Sequence, residues 1–294
     1  MSSRCNHTSG VSIMPDTGRE HLERRLRACG AARAAFIPFI SAGDPDFETS
    51  VNIARLLARH ADAIEIGIPY SDPLADGPVI QEASLRALRG GMTMTRAFDL
   101  MRAVRARSDV PLIAFTYANP VIQAGPAAFA RTCRESGVNG IIVPDLPVEE
   151  SGELRAAADR EGVALIPLLA LTSGDRIRRI AAGARGFVYC VSSLGVTGER
   201  NSFSDQLRSF VESVRRHAAV PVAVGFGVSR PDHVRELSAF ADGVVVGSAI
   251  VRLCGAMEPA VRDKDAGLLQ TKMDELEQFC ADLVHGALRE GAPS

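Results

Sequence analysis

Residues 64–81 read Ile-Glu-Ile-Gly-Ile-Pro-Tyr-Ser-Asp-Pro-Leu-Ala-Asp-Gly-Pro-Val-Ile-Gln, an apolar run that holds a carboxylate and opens into a loop rich in Asp and Pro. Strand alternation puts Ile64, Ile66 and Ile68 on one face and Ala63, Glu65 and Gly67 on the other. The isoleucines need a dry layer of helices against them, so Glu65 points to an interior with small neighbours on either side. An uncompensated buried polar group costs ~2–7 kcal/mol. Glu65 therefore requires either a cationic partner or a chemical task.

Outward from this strand, similar apolar runs occur at 35–40, 112–116, 140–143, 163–167, 186–191, 221–224 and 243–246, which with 63–68 makes eight. Amphipathic stretches separate them at 49–59, 95–107, 127–136, 149–160, 175–182, 205–217 and 230–240. A regular βα repeat implies a parallel sheet, and closure of eight strands removes both exposed edges. The expected fold class is α/β, a single (β/α)8 TIM barrel. Extra helices are expected at the N-terminus (21–27), after strand 2 (79–89) and after strand 8, where Gly247-Ser248 leads straight into a helix. No Pro/Ser linker or change of composition divides the chain. One barrel domain is expected over 19–294, with 1–18 as a loose N-terminal tail.

Composition narrows the partners. The 294 residues are 46% hydrophobic, and 33 Lys and Arg against 35 Asp and Glu give a net charge of -2. That balance offers no electrostatic case for nucleic acid or an anionic membrane surface. The first sixteen residues are polar and lack an apolar core segment, which reads as neither a secretory signal nor an anchor. Six cysteines lie far apart without a C-x-x-C pair, and the six histidines form no metal-spaced pair, so no metal and a reducing cytoplasmic setting are expected. A small molecule or another protein is the expected partner.

None of the other seven runs contains Lys or Arg, which favours an acid/base role for Glu65, with burial raising its proton affinity, over an internal ion pair. Asp72 and Asp76 both suit turns, and Pro78 suits the first turn of a helix. Asp76 also follows Glu65 onto the same barrel mouth, where a second carboxylate can serve another proton of one substrate. Both readings of Asp76 stand. Glycine clusters follow the last three strands: Gly195-Val196-Thr197-Gly198, Gly225-Phe226-Gly227 and Gly247-Ser248-Ala249. Any one could be a plain turn, but together they match the barrel arrangement in which loops and a short helix start hold a phosphate through backbone N–H groups. The clusters contain no Lys or Arg. Residues 192–204 have the Gly and Ser content of a lid or of a passive loop, and Phe39, Tyr117 and Tyr189 suit either a pocket wall or the core.

These motifs carry a family likeness. Phe36-Ile37-Pro38-Phe39 with Gly43-Asp44-Pro45, the long run from Glu65 to Pro78, Tyr117-Ala118-Asn119-Pro120, Pro144-Asp145-Leu146-Pro147-Val148-Glu149-Glu150-Ser151 and the three glycine clusters resemble the tryptophan synthase α chain from about Ala34 to Arg252. The resemblance implies a lyase that cleaves indole-3-glycerol phosphate to indole and glyceraldehyde 3-phosphate by a retro-aldol step, without metal or organic cofactor. It implies that Glu65 is the acid/base at indole C3 and the glycerol hydroxyl, and that Asp76 receives or stabilises the indole N–H proton. It also implies Gly198, Gly227, Gly247 and Ser248 as phosphate binders, Phe39, Tyr117 and Tyr189 as pocket wall, and Thr197 as a lid residue. The family works with a pyridoxal-phosphate-dependent β chain in an α2β2 tetramer, and Asp72, Asn119 and Pro120 fall where that contact is expected. The tail is longer than usual, and Ser192-Ser193-Leu194 lies where members vary. Three other functions compete with the β-linked lyase: a stand-alone indole-releasing lyase, a non-catalytic α-like activator of a β chain, and another phosphate-binding barrel enzyme such as an isomerase. Retained Glu65 and Asp76 oppose the activator.

Overall fold

The computed structural model describes residues 18–30, 32–191, 205–225 and 227–288. Nine parallel strands form one sheet: β1 (Ala35–Ser41), β2 (Ile64–Gly67), β3 (Leu112–Phe115), β4 (Gly140–Ile142), β5 (Ala164–Leu165), β6 (Leu168–Ala170), β7 (Val188–Val191), β8 (Val222–Gly225) and β9 (Gly243–Val246). Their order in space is β5-β4-β3-β2-β1-β9-β8-β7-β6, so the sheet begins and ends on two segments adjacent in sequence. The ring is a TIM barrel of eight staves.

The run at 163–167, expected as one strand, is the stave that divides. Pro167 has no N–H to give to a ladder. Before it, β5 pairs with β4, and Ile166 N–H donates to Ile141 O at 2.9 Å; after it, β6 pairs with β7, and Tyr189 N–H donates to Pro167 O at 3.0 Å. One stave thus serves each neighbour with a different half.

Helices cover the outside. Phe47–Leu57, Met94–Arg105, Pro126–Glu135, Gly152–Arg160, Arg176–Ala182, Asp205–Arg215 and Pro231–Ser238 follow staves one to seven, near the expected positions. Arg19–Cys29, Pro78–Arg89 and Ser248–Gly255 are the expected extras, and Ala118–Ala124, Glu258–Arg262 and the long Ala266–Gly286 are further helices that strand counting does not reveal. Ile64, Ile66 and Ile68 pack in the layer between sheet and helices, whereas Ala63 joins the barrel interior with Ala35, Ile113, Ala223 and Val245. Leu22 and Leu26 of Arg19–Cys29 enter that interior as well and close the foot of the barrel. Residues 1–17 of the expected tail lie outside the described residues. Gly18 is held, its carbonyl accepting from Asn139 Nδ2 at 3.1 Å.

Asp62, just before β2, shows how a carboxylate is buried for structure. It is 4% exposed, takes a two-pronged ion pair from Arg33 at 2.5 and 2.7 Å, and accepts the Phe36 N–H at 2.8 Å. Every oxygen is used. Asp44, in the loop after β1, is held in the same way by Arg86 of Pro78–Arg89, at 2.8 and 3.0 Å. Among the described residues no helix is long and apolar enough to cross a membrane.

Candidate active site

Glu65 lies in register between Phe39 of β1 and Ile113 of β3 and is 2% exposed. Its Oε1 has no hydrogen-bond partner, and no cation pairs with it among the described residues. Burial first, and then the charge of Asp76, pushes its carboxyl up to about 8. A group in that state holds its proton at neutral pH and can both give and take one.

Asp76 hangs over the same space from the loop after β2. Its N–H donates to Pro73 O at 3.1 Å, its carbonyl accepts from the Gln81 side chain at 2.9 Å, and Gly77-Pro78 then starts the helix Pro78–Arg89. These bonds fix the backbone and leave the carboxyl half-buried at the cavity wall. Burial pushes it up to about 6, opposed by the nearby Tyr117 hydroxyl. That hydroxyl is buried and approaches Asp76 without reaching hydrogen-bond geometry, and burial followed by the Asp76 charge raises its own proton affinity.

A cavity of about 1000 Å³, open mouth included, joins these groups. Phe39, Glu65, Asp76, Phe115, Tyr189 and Val245 form one part of its wall; Gly227 and Ser229, from the loop after β8, and Gly247, Ser248 and Arg252, from the start and body of the helix after β9, line the rest. Phe39 meets Phe115 edge-on, with ring centroids 5.6 Å apart. Two glycines make the rings fit. A Cβ on Gly67 would stand 2.6 Å from the Phe39 ring, and one on Gly225 would stand 2.3 Å from the Tyr189 hydroxyl. Burial, then the charges of Glu65 and Asp76, raises the Tyr189 hydroxyl well above its usual value. An apolar middle flanked by one carboxyl that holds its proton at neutral pH and a second that is mostly ionised suits a flat aromatic substrate that must be protonated at one atom and steadied in charge at another.

The expected residues separate into groups. Glu65, Asp76, Phe39, Tyr189, Gly227, Gly247 and Ser248 meet at the cavity, and Gly227 has a φ of +83°, a region that favours glycine. Tyr117 stands outside the lining, stacked on Tyr70 at 5.2 Å. Thr197 and Gly198, with the whole 192–204 segment, lie outside the described residues. Asp72 and Asn119 are exposed and Pro120 half-buried. Asn119 Nδ2 donates to the Tyr70 hydroxyl at 3.1 Å, tying Ala118–Ala124 to the loop after β2, and each of these segments carries a bare apolar side chain, Leu74 at 92% and Ile122 at 67% exposed. Phe115 and Arg252 are the functional candidates that motif reading misses. Alternation along the third strand points Phe115 inward, and Arg252 follows Ser248 by one helical turn.

The sequence model described as "Tryptophan synthase alpha chain" matches residues 27–281. A tryptophan synthase alpha chain from Halalkalibacterium halodurans is 47% identical over 265 residues, covering 90% of this chain and 99% of that one. Another, from Geobacillus kaustophilus, is 51% identical over 232 residues, 78% of this chain and 87% of that one. A solved chain from the tryptophan synthase α2β2 complex of Pyrococcus furiosus superposes with a TM-score of 0.77 at 37% identity, over 86% of this chain and 99% of that one. With matches of this length in both sequence and fold, the chain belongs to the tryptophan synthase alpha chain family.

Proposed function

We propose that this chain cleaves indole-3-glycerol phosphate to indole and glyceraldehyde 3-phosphate and passes the indole to a β chain for tryptophan synthesis. The observation that carries this is Glu65: a carboxyl inside the barrel, with an unpartnered oxygen and a pKa near 8, facing a cavity shared with a second raised carboxyl. Glu65 protonates indole C3 while Asp76 takes up the developing charge at the ring N–H. Glu65, now ionised, removes the proton of the glycerol hydroxyl next to the scissile bond. The C–C bond breaks, its electron pair returns to the indole ring, and the hydroxyl carbon becomes the aldehyde. Phe39, Phe115 and Tyr189 hold the indole plane, and Tyr117 supports Asp76 from behind. Gly198, Gly227, Gly247 and Ser248 hold the phosphate through backbone N–H groups and one hydroxyl. Thr197 serves as the residue that covers Asp76.

A β chain docks where Asp72, Asn119 and Pro120 meet the surface, in an α2β2 assembly like that of the Pyrococcus furiosus complex. Exposed Leu74 and Ile122 support this surface, since they lie on the two segments that the Asn119–Tyr70 hydrogen bond ties together and so add apolar area to one face. Residues 19–294 act as one barrel domain, and 1–18 contribute none of the assigned groups. The five cysteines among the described residues are free and buried, which suits a cytoplasmic enzyme.

The test is indole release from indole-3-glycerol phosphate by the purified chain, with and without a β chain. Turnover that rises when the β chain is added supports the reading. A fast free chain that ignores the β chain makes it a stand-alone lyase, and no turnover in either state removes the assignment.

A further inference from the structure

The cavity wall carries a single cation among the described residues, Arg252. It lies four residues after Ser248 on the helix Ser248–Gly255, so both side chains share one face of that helix, and both line the cavity. Its guanidinium makes no hydrogen bond and no ion pair with any described residue. Arg33, Arg86, Arg176, Arg179 and Arg215 are each spent on a carboxylate. The two carboxyls in the cavity, Glu65 and Asp76, leave Arg252 alone as well. An arginine with no internal partner on the cavity wall, four residues after Ser248 on the same helix, makes that end of the cavity electropositive.

We propose that Arg252, through its guanidinium, adds a charged contact to the phosphoryl group of the substrate beside the neutral backbone donors. The proposal rests on the lyase reading for the identity of the substrate. Backbone amides and the Ser248 hydroxyl give a phosphate dianion neutral donors. The guanidinium adds charge-assisted hydrogen bonds of about twice the strength, together with attraction at a distance. Because Arg252 is exposed and unpartnered, its loss leaves no buried group orphaned and the fold should stand.

The test uses the full chain as wild type, Arg252→Ala and Arg252→Lys, with steady-state cleavage of indole-3-glycerol phosphate and calorimetric titration with inorganic phosphate. R252A is expected to raise KM about tenfold, equal to about 1.4 kcal/mol, and to weaken phosphate binding by a similar factor, while kcat falls less than about threefold. R252K should recover most of both losses, and the rise of KM with salt should flatten in R252A. Unchanged KM and phosphate affinity in R252A overturn the proposal, as does a collapse of kcat at constant KM or a wild type that binds no phosphate. If the lyase reading fails and no chain turns over, the phosphate titration still decides the role of Arg252.

Discussion

Asp62 and Glu65 stand three residues apart at the same stave, both almost fully buried, and the barrel treats them in opposite ways. Asp62, at the foot, is surrounded by donors: both Arg33 nitrogens and the Phe36 N–H. Glu65, facing the mouth, has an oxygen with no partner and a carboxyl pushed up to about 8. A carboxylate buried for stability arrives with its hydrogen bonds supplied, because breaking such a pair leaves a charge stranded. A carboxyl buried for chemistry is left unfinished, so that a substrate can complete it. Burial alone separates nothing here; the partner set does.

The sharpest break in the comparison is Glu65→Gln. The amide keeps the shape and cannot cycle a proton, so kcat should fall at least about a thousandfold, some 4 kcal/mol of barrier, with circular dichroism unchanged; near-normal turnover sinks the acid/base assignment. The same variant reports on stability. Glu65 binds its proton more tightly folded than unfolded, so its favourable contribution is complete below pH 4.5 and drains away as pH climbs to about 8. Across that window Glu65→Gln should gain stability on the wild type, on the order of a few kcal/mol, and the gap should stop growing above pH 8. Urea melts at several pH values measure it.

At the foot the expectation reverses. Asp62→Ala strands Arg33 and the Phe36 N–H and should cost ~3–5 kcal/mol of stability, a drop of about ten degrees in a thermal melt, while the folded fraction keeps its kcat. Equal damage to kcat would dissolve the distinction between foot and mouth. A smaller effect on both properties is expected from Gly225→Ala, whose methyl meets the Tyr189 hydroxyl: ~1–3 kcal/mol of overpacking and a raised KM from the displaced ring. As a baseline, Asp232→Ala removes an exposed pair with Arg235 and should move the melting midpoint by less than about 1 °C.

Much of this is legible in the sequence. Alternation along 63–68 puts the isoleucines outward and Glu65 inward because the two faces of a barrel stave meet different solvents, and the structure has the isoleucines in the helix-facing layer. The count of eight staves rests on the same physics. The split at Pro167 is hidden because proline withholds a donor yet keeps its carbonyl, so the chain can pass from one neighbour to the next without a visible turn signal. The helix Ala266–Gly286 escapes because a strand count has nothing to say after the last strand. At the site, Phe115 and Arg252 escape for another reason. Neither sits in a motif, and each becomes visible only when the periodicity of its own element is followed to the cavity.

The divided stave has one more consequence. Hydrogen bonds close the ring there through only the few residues 164–170, which makes the seam the natural place for the barrel to part. Glu65 and Asp76, on and after β2, and Gly227, Ser248 and Arg252, after β8 and β9, all belong to strands joined by the unbroken ladder β2-β1-β9-β8, far from the seam in the strand order. A molecule in the cavity is therefore held by the continuous part of the sheet, and the seam can open without releasing it. Amides on both sides of Pro167 should exchange with deuterium at much the same rate whether or not the cavity is filled.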